Sequence, residues 1–113
     1  MNNTGYITHL SVSEWGETLH VMDVNGFAFC SISRYHESPD IFIIHGLHVV
    51  EQQRQKGYAT RLIEYCENYA KKHGAIAIRL KVLKDSWMRN WYKRKGYKRT
   101  SQSGVYIWKI KQI

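Results

Sequence analysis

The stretch Arg54-Gln55-Lys56-Gly57-Tyr58-Ala59-Thr60 lies between a run typical of a β-strand and a run typical of an α-helix. It contains two basic residues and one glycine. Where a strand leads through such a turn into a helix, backbone N–H groups and the positive end of the helix dipole converge and favour an anion. The stretch therefore predicts a phosphate-binding turn around which the rest of the chain is arranged.

The elements on either side of this turn have clear patterns. Residues 41–50 are apolar on both faces in their first half, as expected of a central strand, and Gly46 interrupts the run, which indicates a bulge. After the turn, apolar residues recur at three- and four-residue spacing from Ala59 to Ala70, and Gly74 is a suitable C-terminal cap. The turn is thus predicted to join a central strand to an amphipathic helix.

The first part of the chain predicts antiparallel strands. Residues 6–12 have strand composition, and the strand-like runs 18–24 and 27–33 flank Asn25-Gly26, the strongest short signal for a hairpin. A loop is expected over residues 34–40.

The last part predicts a strand, a short helix and a closing pair of strands. Residues 75–83 alternate, with Ile76, Ile78, Leu80 and Val82 on one face, and a second helix capped by Asp85 or Ser86 runs to Lys95. A strand is expected to begin at Tyr97, followed by a turn over residues 101–104 and a strand over 105–110. The order β-β-β-β-α-β-α-β(-β) predicts one mixed α/β domain, residues 1–113, with a mostly antiparallel sheet.

Composition narrows the class of protein. No apolar run approaches the roughly 20 residues that span a bilayer, and residues 1–10 lack the basic and apolar segments of a signal peptide, so we expect a cytoplasmic protein without membrane contact. Cys30 and Cys66 fall at apolar positions and are expected to be buried, reduced thiols. No metal site is predicted.

The charge of the chain is +8 and unevenly placed. Residues 1–50 hold one basic residue against five acids, whereas residues 81–113 hold ten Lys or Arg against one acid. Such asymmetry favours a polyanionic partner, either a nucleic acid or a ligand with several phosphates, although a solvated basic face is the plainer interpretation.

Two motifs resemble the GNAT (GCN5-related N-acetyltransferase) superfamily. One is Arg54-x-x-Gly57-x-Ala59 after a strand, and the other is Tyr92 followed by three residues and then Gly96-Tyr97. The resemblance covers about residues 18–110 and implies the acyl-CoA N-acyltransferase fold. It also implies acetyl transfer from acetyl-CoA to a primary amine by direct attack in a ternary complex.

The resemblance assigns a donor site and a catalytic acid. It implies that residues 54–60 hold the pyrophosphate of acetyl-CoA, that Leu47, His48 and Val49 pair with the pantetheine arm, and that Asp85 contacts the cofactor or only caps a helix. Tyr92 matches the tyrosine that protonates the departing thiolate, and packing beside Trp91 is the alternative. Arg54-Gln55-Lys56-Gly57-Tyr58-Ala59-Thr60 are the predicted cofactor-binding residues of the turn, and Tyr92 is included among them.

The general base is open at this stage. The family's strand glutamate corresponds to Ile43, so His45, His48 or a water relayed to a backbone carbonyl are the candidates. His45 lies on the same predicted strand face as Ile43, and His48 has the opposite parity.

Members of the family usually carry one or two helices after the first strand, and residues 10–19 leave no room for a two-helix insertion. The acceptor wall is then expected from loops such as residues 34–40 and Gly104, or from another subunit, so a homodimer is expected. The alternative function is a non-catalytic module that binds CoA or, through its basic C-terminal surface, nucleic acid.

Overall fold

The computed structural model describes residues 5–113, which form seven strands and two helices. Residues 1–4, on which part of the signal-peptide prediction rests, lie outside the described residues. The strands are β1 (Tyr6–Ser13), β2 (Gly16–Asp23), β3 (Ala28–Tyr35), β4 (Ile41–Val49), β5 (Ala77–Leu83), β6 (Lys98–Ser103) and β7 (Tyr106–Gln112), and the helices are α1 (Tyr58–Lys72) and α2 (Met88–Arg94). A short 3₁₀ turn, Glu51–Gln53, separates β4 from the Arg54–Thr60 stretch.

All seven strands belong to one sheet, in the order β1-β2-β3-β4-β5-β7-β6. Every pair is antiparallel except β4 with β5, which α1 connects in parallel. Parallel neighbours need such a crossover, because a tight hairpin can join only antiparallel strands. The predicted mixed α/β fold with a central strand-helix-strand unit is confirmed.

Both helices cover the same face of the sheet. The apolar side of α1, with Leu62, Ile63 and Cys66, shares one core with Tyr92 of α2 and with the inward positions of the strands. The opposite face carries no helix among residues 5–113, because β1 and β2 are joined by only Glu14 and Trp15. We call it the open face; it includes His20, Phe29, His45, Lys81 and Trp108.

Two local predictions at the C-terminal part were wrong. Residues 101–103 belong to β6 rather than to a turn, because Gln102 and Ser103 pair with Ile107 and Tyr106 of β7 and the turn is at Gly104-Val105. Pairing with a neighbouring strand overrides the weak β-propensity of these polar residues. Ile76 precedes β5 and is exposed rather than part of its buried face.

The cysteine prediction is confirmed. Cys30 and Cys66 are free thiols in the core, with their Sγ atoms 3.4 Å apart. The hydrogen bond with Cys30, together with burial, raises the pKa of the Cys66 thiol well above its usual range. No helix within residues 5–113 is long and apolar enough to cross a membrane.

Candidate active site

The parallel strands β4 and β5 separate halfway along their length. They pair from Ile41 with Ala77 to Ile44 with Leu80, and the paired register ends there although both strands continue. On the other side of β4, its pairing with β3 contains a bulge. Ser31 of β3 is opposite His45 and Phe29 is opposite His48, so β4 has one more residue than β3 between these two pairs.

Gly46 accounts for this bulge. Its φ is +62°, in the left-handed region that glycine adopts at low cost. The extra residue bends β4 away from β5 and leaves a cleft of about 180 Å³ between the two strands.

The cleft connects the two faces of the sheet. Ile44, Val82 and Tyr92 line it from the helix-covered side, and Lys81 and Tyr106 line it from the open face. A molecule bound on the helix side and one bound on the open face could therefore meet between β4 and β5.

Tyr92 has an unusual environment within this cleft. Its side chain is only 4% exposed, and no hydrogen bond of its hydroxyl is found among residues 5–113. Desolvation by burial, together with the nearby Cys30 and Cys66, raises the pKa of Tyr92 far above its ordinary value. The phenol is thus protonated at all physiological pH values, and its O–H group can donate a hydrogen bond or a proton.

The Arg54–Thr60 stretch borders a larger cavity of about 490 Å³. Gly57 is the N-cap of α1 with φ +87°, and Gln55 also has a positive φ of 64°. A non-glycine residue in this conformation carries strain, and such strain is typical of functional turns. The side chain of Arg54 attaches the turn to the sheet, since its Nε donates to the Val49 carbonyl at 3.1 Å.

Most of the predicted cofactor-binding residues line one of the two cavities. Leu47 and Tyr92 line the cleft, and the larger cavity is lined by Val49, Arg54, Gln55, Gly57, Tyr58, Ala59 and Thr60. Lys56 instead donates to the Gln53 side chain at 3.2 Å, and His48 and Asp85 line neither cavity. The contact of these three residues with the cofactor stays a prediction.

Four residues of the larger cavity were missed from the sequence: Gln53, Trp87, Trp91 and Arg94. Trp87 and Trp91 are one helical turn apart, with ring centroids 6.4 Å apart. Their i, i+4 spacing was available in the sequence, but spacing alone does not show which side of a short helix faces a cavity.

The two histidine candidates lie on the same face, and the prediction that they differ in parity was wrong. The bulge at Gly46 inserts one residue between them, so both His45 and His48 face the open side. His45 Nε2 is 2.7 Å from Ser33 Oγ, and His48 packs on Phe29 with centroids 5.1 Å apart.

The open face beside the cleft is electropositive. Lys81 Nζ lies 4.6 Å from the Tyr106 ring centroid, and the Arg79 guanidinium lies 4.5 Å from that of Trp108. Burial, Lys81 and His20 lower the pKa of His45, so its imidazole is mainly neutral at neutral pH and can accept a proton.

Comparison with known proteins identifies this arrangement. The acetyltransferase (GNAT) family matches residues 6–97. A comparison with curated proteins gives no match. Similar folds are found in an acetyltransferase from Bacillus cereus, with TM-score 0.70, 23% identity, and coverage of 85% of this chain and 71% of that one.

Two further similar structures contain CoA or acetyl-CoA. The PaiA N-acetyltransferase of Thermoplasma acidophilum in complex with coenzyme A has TM-score 0.74 and 17% identity over 85% of this chain and 60% of that one. A GNAT family acetyltransferase from Elizabethkingia anophelis with acetyl-CoA bound has TM-score 0.72 and 11% identity over 98% of this chain and 100% of that one. At these identities the likeness shows the fold.

Proposed function

Because the chain belongs to the acetyltransferase (GNAT) family, we propose that it transfers an acetyl group from acetyl-CoA to a primary amine, by direct attack within a ternary complex. The observation that supports this most strongly is the unpartnered, buried hydroxyl of Tyr92 in a cleft next to the phosphate-binding turn. A desolvated donor without an acceptor costs stability and is expected where a substrate supplies the acceptor.

The donor half of the site fits the pyrophosphate of acetyl-CoA. The N–H groups of Tyr58, Ala59 and Thr60 precede the first bond of α1, which Arg61 donates to the Gly57 carbonyl, so they are free to bind phosphate oxygens. A Cβ on Gly57 would lie 2.7 Å from a guanidinium nitrogen of Arg61, so this flexible side chain would have to move, and the φ of +87° would be strained for any other residue. The Elizabethkingia protein, which matches over nearly its whole length, has acetyl-CoA bound in the same fold.

The chemical step assigned to this geometry needs few groups. The acceptor amine enters from the open face, attacks the thioester carbonyl in the cleft, and forms the amide bond as the carbon–sulfur bond breaks. Tyr92 gives its proton to the departing thiolate, and a backbone N–H of the separated part of β4 stabilises the oxyanion.

Lys81 has a role in the protonation of the acceptor. Its ammonium lines the cleft, and a neighbouring positive charge lowers the pKa of an amine bound there. This effect favours the neutral, nucleophilic form of the amine without a carboxylate base. His45, with its lowered pKa, or a water accepts the proton that the amine loses.

The experiment is a thiol-release assay with acetyl-CoA and a panel of primary amines, combined with thermal unfolding with and without acetyl-CoA. We expect acetyl-CoA to raise the Tm and at least one amine to release free CoA. The non-catalytic alternative predicts a raised Tm without thiol release from any amine.

A matched pair of glycine variants tests the donor site. Gly57→Glu places a side chain and a negative charge in the turn, whereas Gly74→Glu has a similar backbone φ of +88° at the other end of α1, with no atom within 4 Å of the added Cβ. Stabilisation by acetyl-CoA is expected to be lost only in Gly57→Glu. Equal stabilisation of both variants would show that the donor binds elsewhere.

A further inference from the structure

A third cavity, of about 480 Å³, lies on the other side of α2 from the larger cavity beside the Arg54–Thr60 stretch. It opens between α2 and the β6–β7 hairpin, and its polar lining is almost entirely cationic. The cationic and amide side chains of its lining are Arg89, Asn90 and Lys93 of α2, Lys98 and Arg99 of β6, and Lys109 of β7, and Gly96 and Tyr97 complete it. None of these residues lines the larger cavity beside the Arg54–Thr60 stretch.

Lys109 is the exceptional member of this set. Its side chain is 4% exposed, and the hydrogen bond found for its ammonium among residues 5–113 is a long one, 3.5 Å, to the Tyr97 carbonyl. Burying an ammonium ion is costly unless it is paired. Lysine is among the residues that proteins almost never bury fully without a partner.

No carboxylate of the described residues forms an ion pair with Lys109. Among residues 5–113 the one salt bridge joins Lys111 to Glu67, at 3.0 Å. The charged groups that surround Lys109 are instead of the same sign, and burial together with Arg89, Lys93 and Arg99 lowers the pKa of Lys109. The cluster therefore costs stability in the unbound protein, and an anion in the cavity would remove that cost.

We propose that this cavity binds a small anion bearing several phosphate groups, separately from the acetyl-CoA site. Five cations converge on one concave space, so they match an anion with several charges rather than a single carboxylate. Lys109 can be reached only by a group that enters the cavity, which favours a compact phosphate chain over the regularly spaced backbone of a nucleic acid lying across the surface.

The test is a calorimetric titration with inorganic tripolyphosphate at low salt. Lys109→Met removes the buried charge and keeps an apolar side chain of similar length. Lys72→Met is its control, because it removes one charge from the exposed end of α1, outside the cavity. We expect Lys109→Met to weaken binding by at least about tenfold, or 1.4 kcal/mol, and Lys72→Met to weaken it clearly less, because Lys72 does not line the cavity.

Arg99→Gln provides a second variant at an exposed position, so its folding is not in question. It too is expected to weaken tripolyphosphate binding more than Lys72→Met does. Equal affinities of Lys109→Met, Arg99→Gln and Lys72→Met would overturn the proposal, as would absence of binding to the wild type.

Two further titrations separate this site from other phosphate sites. Gly57→Glu is expected to bind tripolyphosphate like the wild type, and a loss of binding there would assign the anion to the turn at the N-terminus of α1. A short DNA duplex that binds tighter than tripolyphosphate, with the same dependence on Lys109, would also overturn the proposal. The titration does not depend on catalysis, so an inactive protein that still binds tripolyphosphate would leave this site standing while the proposed function fails.

Discussion

Replacing Tyr92 by phenylalanine removes a single oxygen from the cleft, and the structure predicts opposite effects on stability and turnover. The hydroxyl is buried and has no hydrogen-bond partner among residues 5–113. Its removal therefore breaks no bond and relieves a desolvated polar group, so the free energy of unfolding should rise by 0 to about 1 kcal/mol. Loss of a general acid should lower turnover by about 10²- to 10⁴-fold.

Tyr97→Phe is the matched control. Its ring centroid is 5.6 Å from that of Tyr92, and it is equally buried, but its hydroxyl donates to the Glu67 carboxylate at 2.8 Å. A hydrogen bond to a charged group contributes about 1.5–3 kcal/mol. Tyr97→Phe should therefore lower the free energy of unfolding by about that amount and leave turnover at the wild-type level.

The assay pairs urea unfolding of each variant with thiol release at saturating acetyl-CoA and a fixed acceptor amine. The expected pattern is a stable, slow Tyr92→Phe and an unstable, fast Tyr97→Phe. Full turnover in Tyr92→Phe would refute the acid role. A loss of stability in Tyr92→Phe as large as that in Tyr97→Phe would refute the inference that its hydroxyl is unpartnered.

Three other changes have expected outcomes. Above pH about 10 the unfolded chain releases the protons of Tyr92 and Tyr97, whereas the folded protein retains them because both pKa values are raised. The free energy of unfolding should therefore fall as the pH rises, and it should fall less steeply in Tyr92→Phe. Urea unfolding at several pH values measures this. Lys81→Met should move the rise of kcat with pH to higher pH, because the bound amine loses a neighbouring positive charge and its pKa rises; an unshifted pH profile of kcat would exclude this role. Arg54→Met removes the charge-assisted hydrogen bond between the turn and the Val49 carbonyl at the end of β4. KM for acetyl-CoA should rise by about tenfold, which corresponds to the loss of one such bond, and kcat should be retained. A fall in kcat alone would contradict this.

The strand, turn and helix around residues 54–60 could be predicted because their signals are local. A basic turn with one glycine before an amphipathic helix is enough to predict a helix N-terminus whose backbone N–H groups could bind an anion. The positive φ of Gln55 is visible only in the structure, because a glutamine in the sequence does not indicate a left-handed backbone conformation. The same holds for the Asn25-Gly26 hairpin, although the Asp23 carboxylate that accepts from three N–H groups of this turn was not predicted.

The geometry of the candidate reaction centre could be predicted only in part, because it depends on pairing between distant strands. Gly46 indicated a bulge, but counting residues along a regular strand placed His45 and His48 on opposite faces. One extra residue reverses the parity of everything that follows it, and only the register against β3 shows that this occurred. The residues of α2 that line three different cavities could not be predicted from sequence spacing either.

The short connection between β1 and β2 explains why the donor is easier to assign than the acceptor. With two residues in place of a helical segment, the described chain has helices on one face only, and the cleft opens on the other between side chains of β4, β5 and β7. Under the proposed function, the acceptor would be selected by open-face groups such as Lys81 and Tyr106, or by another copy of the chain, as the expected homodimer would allow. The positive charge of Lys81 favours amines that also carry an anionic group near the nucleophile. An amino acid should then have a higher kcat/KM than the matching amine without its carboxylate, and Lys81→Met should remove that preference.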